Sequence, residues 1–240
     1  MSISLRRGTP IPPIDDEESW ALYALSRALD LLIGTGPAIP VDQYVAFVEA
    51  LGMKVLQPQQ FSPFFHEVVA LEPSASSLGA ATIQEFIWPC VMLGEMLVSR
   101  AGVRVSAGAQ VLTPGVADAS TLYWTYLRTL RPHQDLSHGW GGNSQWRTRF
   151  RRDFAIDGKY YFNVDGKRDL ATQSDEDESG LSLGERIELL TNRCFVRCEK
   201  PHDDLWPYDD CHVVAAHPAD GTSGAPRVAG WIARLVRKRD

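Results

Sequence analysis

Apolar residues recur at helical spacing in the first fifty residues and then change period. Asp15 or Asp16 can cap a helix that runs to about Ile33, with Glu17 and Glu18 in its favourable first turn. Trp20, Ala24, Ala28, Leu31 and Leu32 fall near one face, and Gly34 and Gly36-Pro37 stop the helix. A second helix is predicted from Val41 to Leu51, with Tyr44, Val45, Val48 and Leu51 at helical spacing and Gly52 at its end.

Beyond Gly52 the pattern turns to strands. Met53–Leu56 and Phe64–Leu71 read as strands, the second with β-branched Val68 and Val69 and a strand histidine, His66. Ile83–Leu97 is mostly apolar and is expected to form a buried helix kinked or broken at Pro89. Val103-Arg104-Val105 alternates like a strand, and Ala117–Leu130 is expected to be helical. Residues 131–145 form a polar connection, and Gln145–Val164 reads as a hairpin around Asp157-Gly158. Ser182-Leu183-Gly184-Glu185 is a capping box that starts a helix ending near Asn192. Cys194–Cys198 is expected to be a strand, 199–211 a loop, and 227–239 a basic helical segment. Helices first and a sheet region afterwards predict an α+β class. N-terminal helices would pack on a mixed, largely antiparallel sheet, with the hairpin at about 145–164. Residues 1–14 read as a flexible arm and 15–240 as a single domain, with a possible sub-boundary near 131–145.

The hairpin has two registers. A two-residue Asp157-Gly158 loop pairs Phe154 with Tyr161 and puts Phe162 and Val164 on the same face as Arg147, Arg149 and Arg151. A three-residue loop, Ile156-Asp157-Gly158, pairs Phe154 with Tyr160. It gathers Phe150, Phe154, Tyr160, Phe162 and Val164 on one face and the arginines with Asp153 on the other. Burial of the aromatic set selects the second register, so Arg147, Arg149 and Arg151 are expected in a solvent-facing row. Their spacing, about 7 Å, suits phosphates or carboxylates. A plainer reading of the same row is an ordinary charged outer face.

Composition narrows the classes. A net charge of −6 argues against binding to nucleic acid or an anionic membrane by overall charge, so any anion site must be local. The start has no apolar leader core, and no apolar stretch is long enough to span a bilayer. With four cysteines and no disulfide-rich pattern, a cytoplasmic protein with reduced thiols is expected.

Few residues suggest chemistry. Gly139-Trp140-Gly141-Gly142-Asn143-Ser144 is a glycine-rich turn whose backbone could approach a ligand, but it matches neither a P-loop nor a nucleophile elbow. His133, Asp135, His138, His202, Asp203, Asp209 and His212 mix imidazoles and carboxylates, at no spacing that defines a metal site. Cys194, Cys198 and His202 stand four apart, and Pro201 argues against a helix that would align them. No metal and no cofactor are expected. The leading expectation is a binding or accessory protein acting through a charged surface, of the inhibitor, immunity or adaptor kind. Its contacts would be Trp140, Asn143, Gln145, Arg147, Arg149 and Arg151, and its partner a protein or a small anionic ligand. The alternative is an enzyme acting on a phosphate- or carboxylate-bearing substrate, with the arginines as a clamp, His138 as acid or base, and Asp203 or Asp209 as its carboxylate partner.

Overall fold

The computed structural model describes residues 11, 13–34, 39–118, 150–173, 180–199 and 209–216. Helices α1 (Asp16–Gly34) and α2 (Val41–Ala50) lead into strands β1 (Lys54–Leu56), β2 (His66–Pro73), β3 (Thr82–Trp88), β4 (Cys90–Leu93), β5 (Met96–Ser99) and β6 (Ala101–Ala107). Strands β7 (Asp153–Ile156), β8 (Lys159–Phe162) and β9 (Arg168–Asp169) follow, then helix α3 (Leu183–Asn192) and strand β10 (Asp210–Ala215). They form a seven-stranded sheet in the order β1-β4-β5-β7-β8-β10-β9 and a three-stranded sheet in the order β2-β6-β3. Only β2–β6 and β9–β10 run parallel among these pairs. The α+β class is therefore as the sequence pattern predicts.

Apart from Leu93, strands β4 and β5 of the seven-stranded sheet are buried on both faces, and their side chains alternate between two cores. Cys90, Met92 and Leu97 join a core with Phe64, Phe65, Val103, Phe162 and Leu189. Val91, Met96 and Val98 point the other way, into a core with Leu29, Ile33, Tyr44 and Val48 from α1 and α2. This two-sided burial explains the misreading of Ile83–Leu97. The segment is not a helix but β3, β4 and the start of β5. A strand covered on both faces loses its polar alternation, and its apolar run is then indistinguishable from a buried helix. Pro89 breaks the run where the chain leaves the small sheet for the large one.

Helix α1 lies where expected but rests on a different stripe. Leu29 and Ile33 are buried, with Leu22, Tyr23, Leu25 and Leu32 packed around them. Trp20 is 54% exposed, and Ala24 and Ala28 face solvent. The aliphatic stripe at 22, 25, 29, 32 and 33 offers more apolar area than one built on two alanines. Leu51, expected inside, is exposed beyond the end of α2. Helix α3 begins at the predicted capping box: Glu185 N–H donates to Ser182 Oγ, and Ser182 N–H donates to Glu185 Oε2. Cys194–Cys198 is not a strand. The backbone N–H groups of Val196, Arg197 and Cys198 all donate to Glu188 Oε1, at 2.7, 2.6 and 3.1 Å, which curls the segment around one carboxylate. Strand β10 occupies the end of the stretch read as a loop. The arm up to Pro10, most of 117–130, the whole of 131–145 and 227–239 lie outside the described residues.

The hairpin takes the register that burial had argued against. Phe154 pairs with Tyr161, Ala155 with Tyr160 and Ile156 with Lys159. Asp157 (φ 49°) and Gly158 (φ 69°) are both left-handed, which is the two-residue turn matching strand twist. Asp153 thus lies on the face of Tyr160 and Phe162, and all three are buried.

Gly158→Val should lower the unfolding free energy by about 1–2 kcal/mol in urea titration, because a β-branched residue resists positive φ. No neighbouring atom lies within 4 Å of a Cβ built there, so the loss is conformational. Asp157→Asn, which suits the same turn, should leave the midpoint nearly unchanged.

Candidate functional site

The chain crosses from the large sheet to the small one at Arg100, between β5 and β6. Its carbonyl accepts from the indole Nε1–H of Trp88 at 2.9 Å, and that indole lies against Gly102, where a Cβ would fall 2.4 Å from the ring. The Arg100 side chain is 1% exposed, and its Nη2 donates to the carbonyl of Thr191 near the end of α3 at 2.6 Å. The cation thus answers a carbonyl at the negative end of a helix.

Beside it stands Asp153, fully buried at the start of β7. Arg151 Nε donates to its Oδ1 at 2.7 Å, and Arg193 Nη2 donates to its Oδ2 at 2.9 Å. The backbone N–H of Asn163 donates to Oδ1 at 2.7 Å. Arg193 follows α3 in the left-handed conformation (φ 57°), which ends the helix and turns the side chain back toward β7. Burial alone would raise the Asp153 carboxyl, but the guanidinium groups of Arg151, Arg193 and Arg100 outweigh it and hold the carboxyl below the usual range. Burial lowers Arg151 to about 10 against the pull of Asp153. Arg100 is also held well below the usual arginine range, first by burial and then by the like charges of Arg193 and Arg151.

Two other pairings use the remaining inward arginines. Arg152 grips Asp165 through Nε and Nη2, both at 2.7 Å, with its guanidinium over Phe154. Arg186 on α3 grips the buried Asp210 of β10 through Nε and Nη2, at 3.1 and 2.7 Å, and Arg168 Nε reaches the same carboxylate at 2.9 Å.

Of the residues singled out from sequence, His138, Trp140, Asn143, Gln145, Arg147, Arg149 and Asp203 lie outside the described residues, as do His133, Asp135 and His202. Arg151 is described, and the solvent-facing position expected for it is wrong. It is 4% exposed, bonded to Asp153 and stacked 5.8 Å from the centre of the Phe162 ring. The expectation treated charge as outward by default; here a charge of opposite sign shares the inner face and makes burial tolerable. Asp209 immediately precedes β10, and its carbonyl accepts from the N–H groups of Lys167 and Arg168, both at 2.7 Å. His66 is buried in β2: Ser62 N–H donates to its Nδ1, and Nε2–H donates to the Pro58 carbonyl. The described residues hold no group of three or more His, Cys, Asp or Glu side chains able to bind a metal ion. All four cysteines are free thiols, and burial pushes Cys90 and Cys211 up to about 12, away from nucleophilic reactivity.

Sequence reasoning missed Arg100 and Arg193. The signal for Arg100 was present: it is the one charged residue between Met96 and Val103, a stretch otherwise of apolar and small residues. No family model, curated protein or solved structure matches this chain.

Asp153→Asn leaves Arg151 and Arg193 facing a neutral group in a dry interior and should cost about 3–5 kcal/mol in chemical denaturation. The folded-state carboxyl is depressed, so its stabilisation is present above the ordinary aspartate range, near pH 4. It is lost as pH falls through the lower folded value. The stability gap between the wild type and Asp153→Asn should therefore be constant from about pH 5 to 7 and narrow below about pH 4. A gap that widens in acid would contradict the assignment.

Proposed function

We propose that the protein is a binding or accessory protein that acts through an acid-rich outer surface on a basic partner. The observation that carries this reading is the sign of the exposed charge. Arg100, Arg151, Arg152 and Arg186 are buried together with Glu67, Asp153, Glu188 and Asp210, and the more exposed Arg104, Arg168 and Arg197 are each ion-paired to an acid. The exposed described surface is left with acids such as Asp16, Glu17, Glu18, Asp42, Glu49 and Glu95 in excess over a few lysines. A net charge of −6 supports the same sign, and a field of one sign steers partners of the other. The four free cysteines fit the reducing cytoplasm. No helix among the described residues is long and apolar enough to cross a membrane.

A second reading, an enzyme acting on a phosphate- or carboxylate-bearing substrate, is favoured by one observation: the arginines gathered around Arg100 and Asp153. His138 and Asp203, its acid–base candidates, lie outside the described residues.

Native purification of the full chain followed by mass spectrometry separates the two readings. The accessory reading expects a basic protein that co-purifies and falls about tenfold with Glu17→Lys/Glu49→Lys. The melting temperature should stay within about 2 °C, since both side chains are exposed. The same partners at undiminished yield, or none at all, would sink it. A bound small anion without a protein partner favours the second reading.

A further inference from the structure

We propose that the basic segment 227–239 of this chain docks on the outer face of helices α1 and α2. The docking does not depend on the partner reading above; a basic partner at that face would have to displace the segment.

Charge points to this pairing. Residues 11–53 hold seven acids and one base, Arg27, an excess of six that equals the net charge of −6 of the whole chain. The rest of the chain has 23 acids and 23 bases. Residues 227–239 hold five bases and no acid. The two segments therefore carry concentrated charge of opposite sign, and each is the other's natural counterpart.

The apolar pattern selects the face. On α2, Tyr44, Val45 and Val48 are buried, while Phe47 and Leu51, one turn apart, are 42% and 47% exposed. Ala46 and Ala50 are exposed on the same side, and the exposed Asp42 and Glu49 run along its edge. On α1, Trp20 is exposed one turn from the exposed Glu17. Both helices pack on the same side of the large sheet. The basic segment lies outside the described residues, but its sequence has the matching pattern. Val228, Trp231, Ile232 and Leu235 recur at helical spacing, with Arg234 and Arg237 off that stripe. An amphipathic basic helix is recognised by an apolar surface with acids beside it. The acidic run Asp175–Glu178 offers charge without an apolar side chain, and so meets only half of that requirement.

The chain is long enough to make the contact. Ala216, after β10, stands eleven residues before Arg227. Ala215 and Ile156 both pair with Lys159, Phe154 pairs with Met96, and Met92 pairs with Lys54. These registers put Ala216 and Lys54, which closely follows Leu51, toward the same end of the large sheet, five strands apart in its order. Neighbouring strands are about 4.8 Å apart, so the crossing is about 24 Å, and eleven extended residues reach about 36 Å. The tether makes the contact intramolecular, an advantage that a second copy of the chain does not have.

The test uses the full chain. Hydrogen exchange read by mass spectrometry should show the amides of 227–239 exchanging at least about tenfold more slowly in the wild type than in Phe47→Ser/Leu51→Ser. Both replaced side chains are exposed, so exchange in β6 and β8 should stay as in the wild type. If that variant does not fold, Arg234→Glu/Arg237→Glu breaks the same contact from the other side and should release the segment equally. Carbodiimide coupling should join Lys238 to Glu17, Asp42 or Glu49. In a mixture of ¹⁵N-labelled and unlabelled chains, that cross-link should lie within single chains. Equal exchange of 227–239 in the wild type and the folded variants overturns the docking. So does a Lys238 cross-link confined to Asp175–Glu178, or one found only between chains.

Discussion

Asp153 is the residue on which the packing of one side of the large sheet depends. A carboxylate cut off from water survives only if its charge and its lone pairs are both answered. Here the answers come from three places: Arg151 just ahead of β7, the Asn163 backbone just after β8, and Arg193 just after α3. One side chain therefore joins two neighbouring strands to the end of a helix, through a contact that spans forty residues of chain. The net stabilisation of such an assembly against an apolar equivalent is small, because desolvation offsets most of the attraction. Breaking it is another matter, since each partner is then stranded. Its main consequence is thus for which arrangement forms rather than for how stable that arrangement is.

The two faces of the seven-stranded sheet are held in different ways. On one, α1 and α2 pack through Leu29, Ile33, Tyr44, Val45 and Val48, an apolar contact that tolerates small shifts. On the other, α3 brings Leu189 and Leu190 to the core but is also tied by polar bonds along its length. Arg186 reaches Asp210 in β10, Glu188 collects the loop behind it, the Thr191 carbonyl meets Arg100, and Arg193 returns to β7. Directional bonds of this kind position groups more narrowly than apolar contact does. A site built on this face therefore inherits fixed donors, which is the condition a small polar ligand needs.

Local pattern was enough for features whose cause is local. The capping box at Ser182 and the helical spans of α1 and α2 depend on residues three or four apart, the strand at Val103–Val105 on residues two apart, and the chain alone determines them. The α+β class follows from their order. The register of the hairpin, the reading of Ile83–Leu97 and the direction of Arg151 depend on what lies across the sheet. Alternation placed Arg151, Asp153 and Phe162 on a common face in the two-residue register, but the sequence could not say that this face was buried as well. That was decided by α3, arriving with Arg193, and by Arg100 at the crossing between sheets. A buried charge is acceptable only beside its partner, and partners separated by forty to ninety residues meet only in the folded chain.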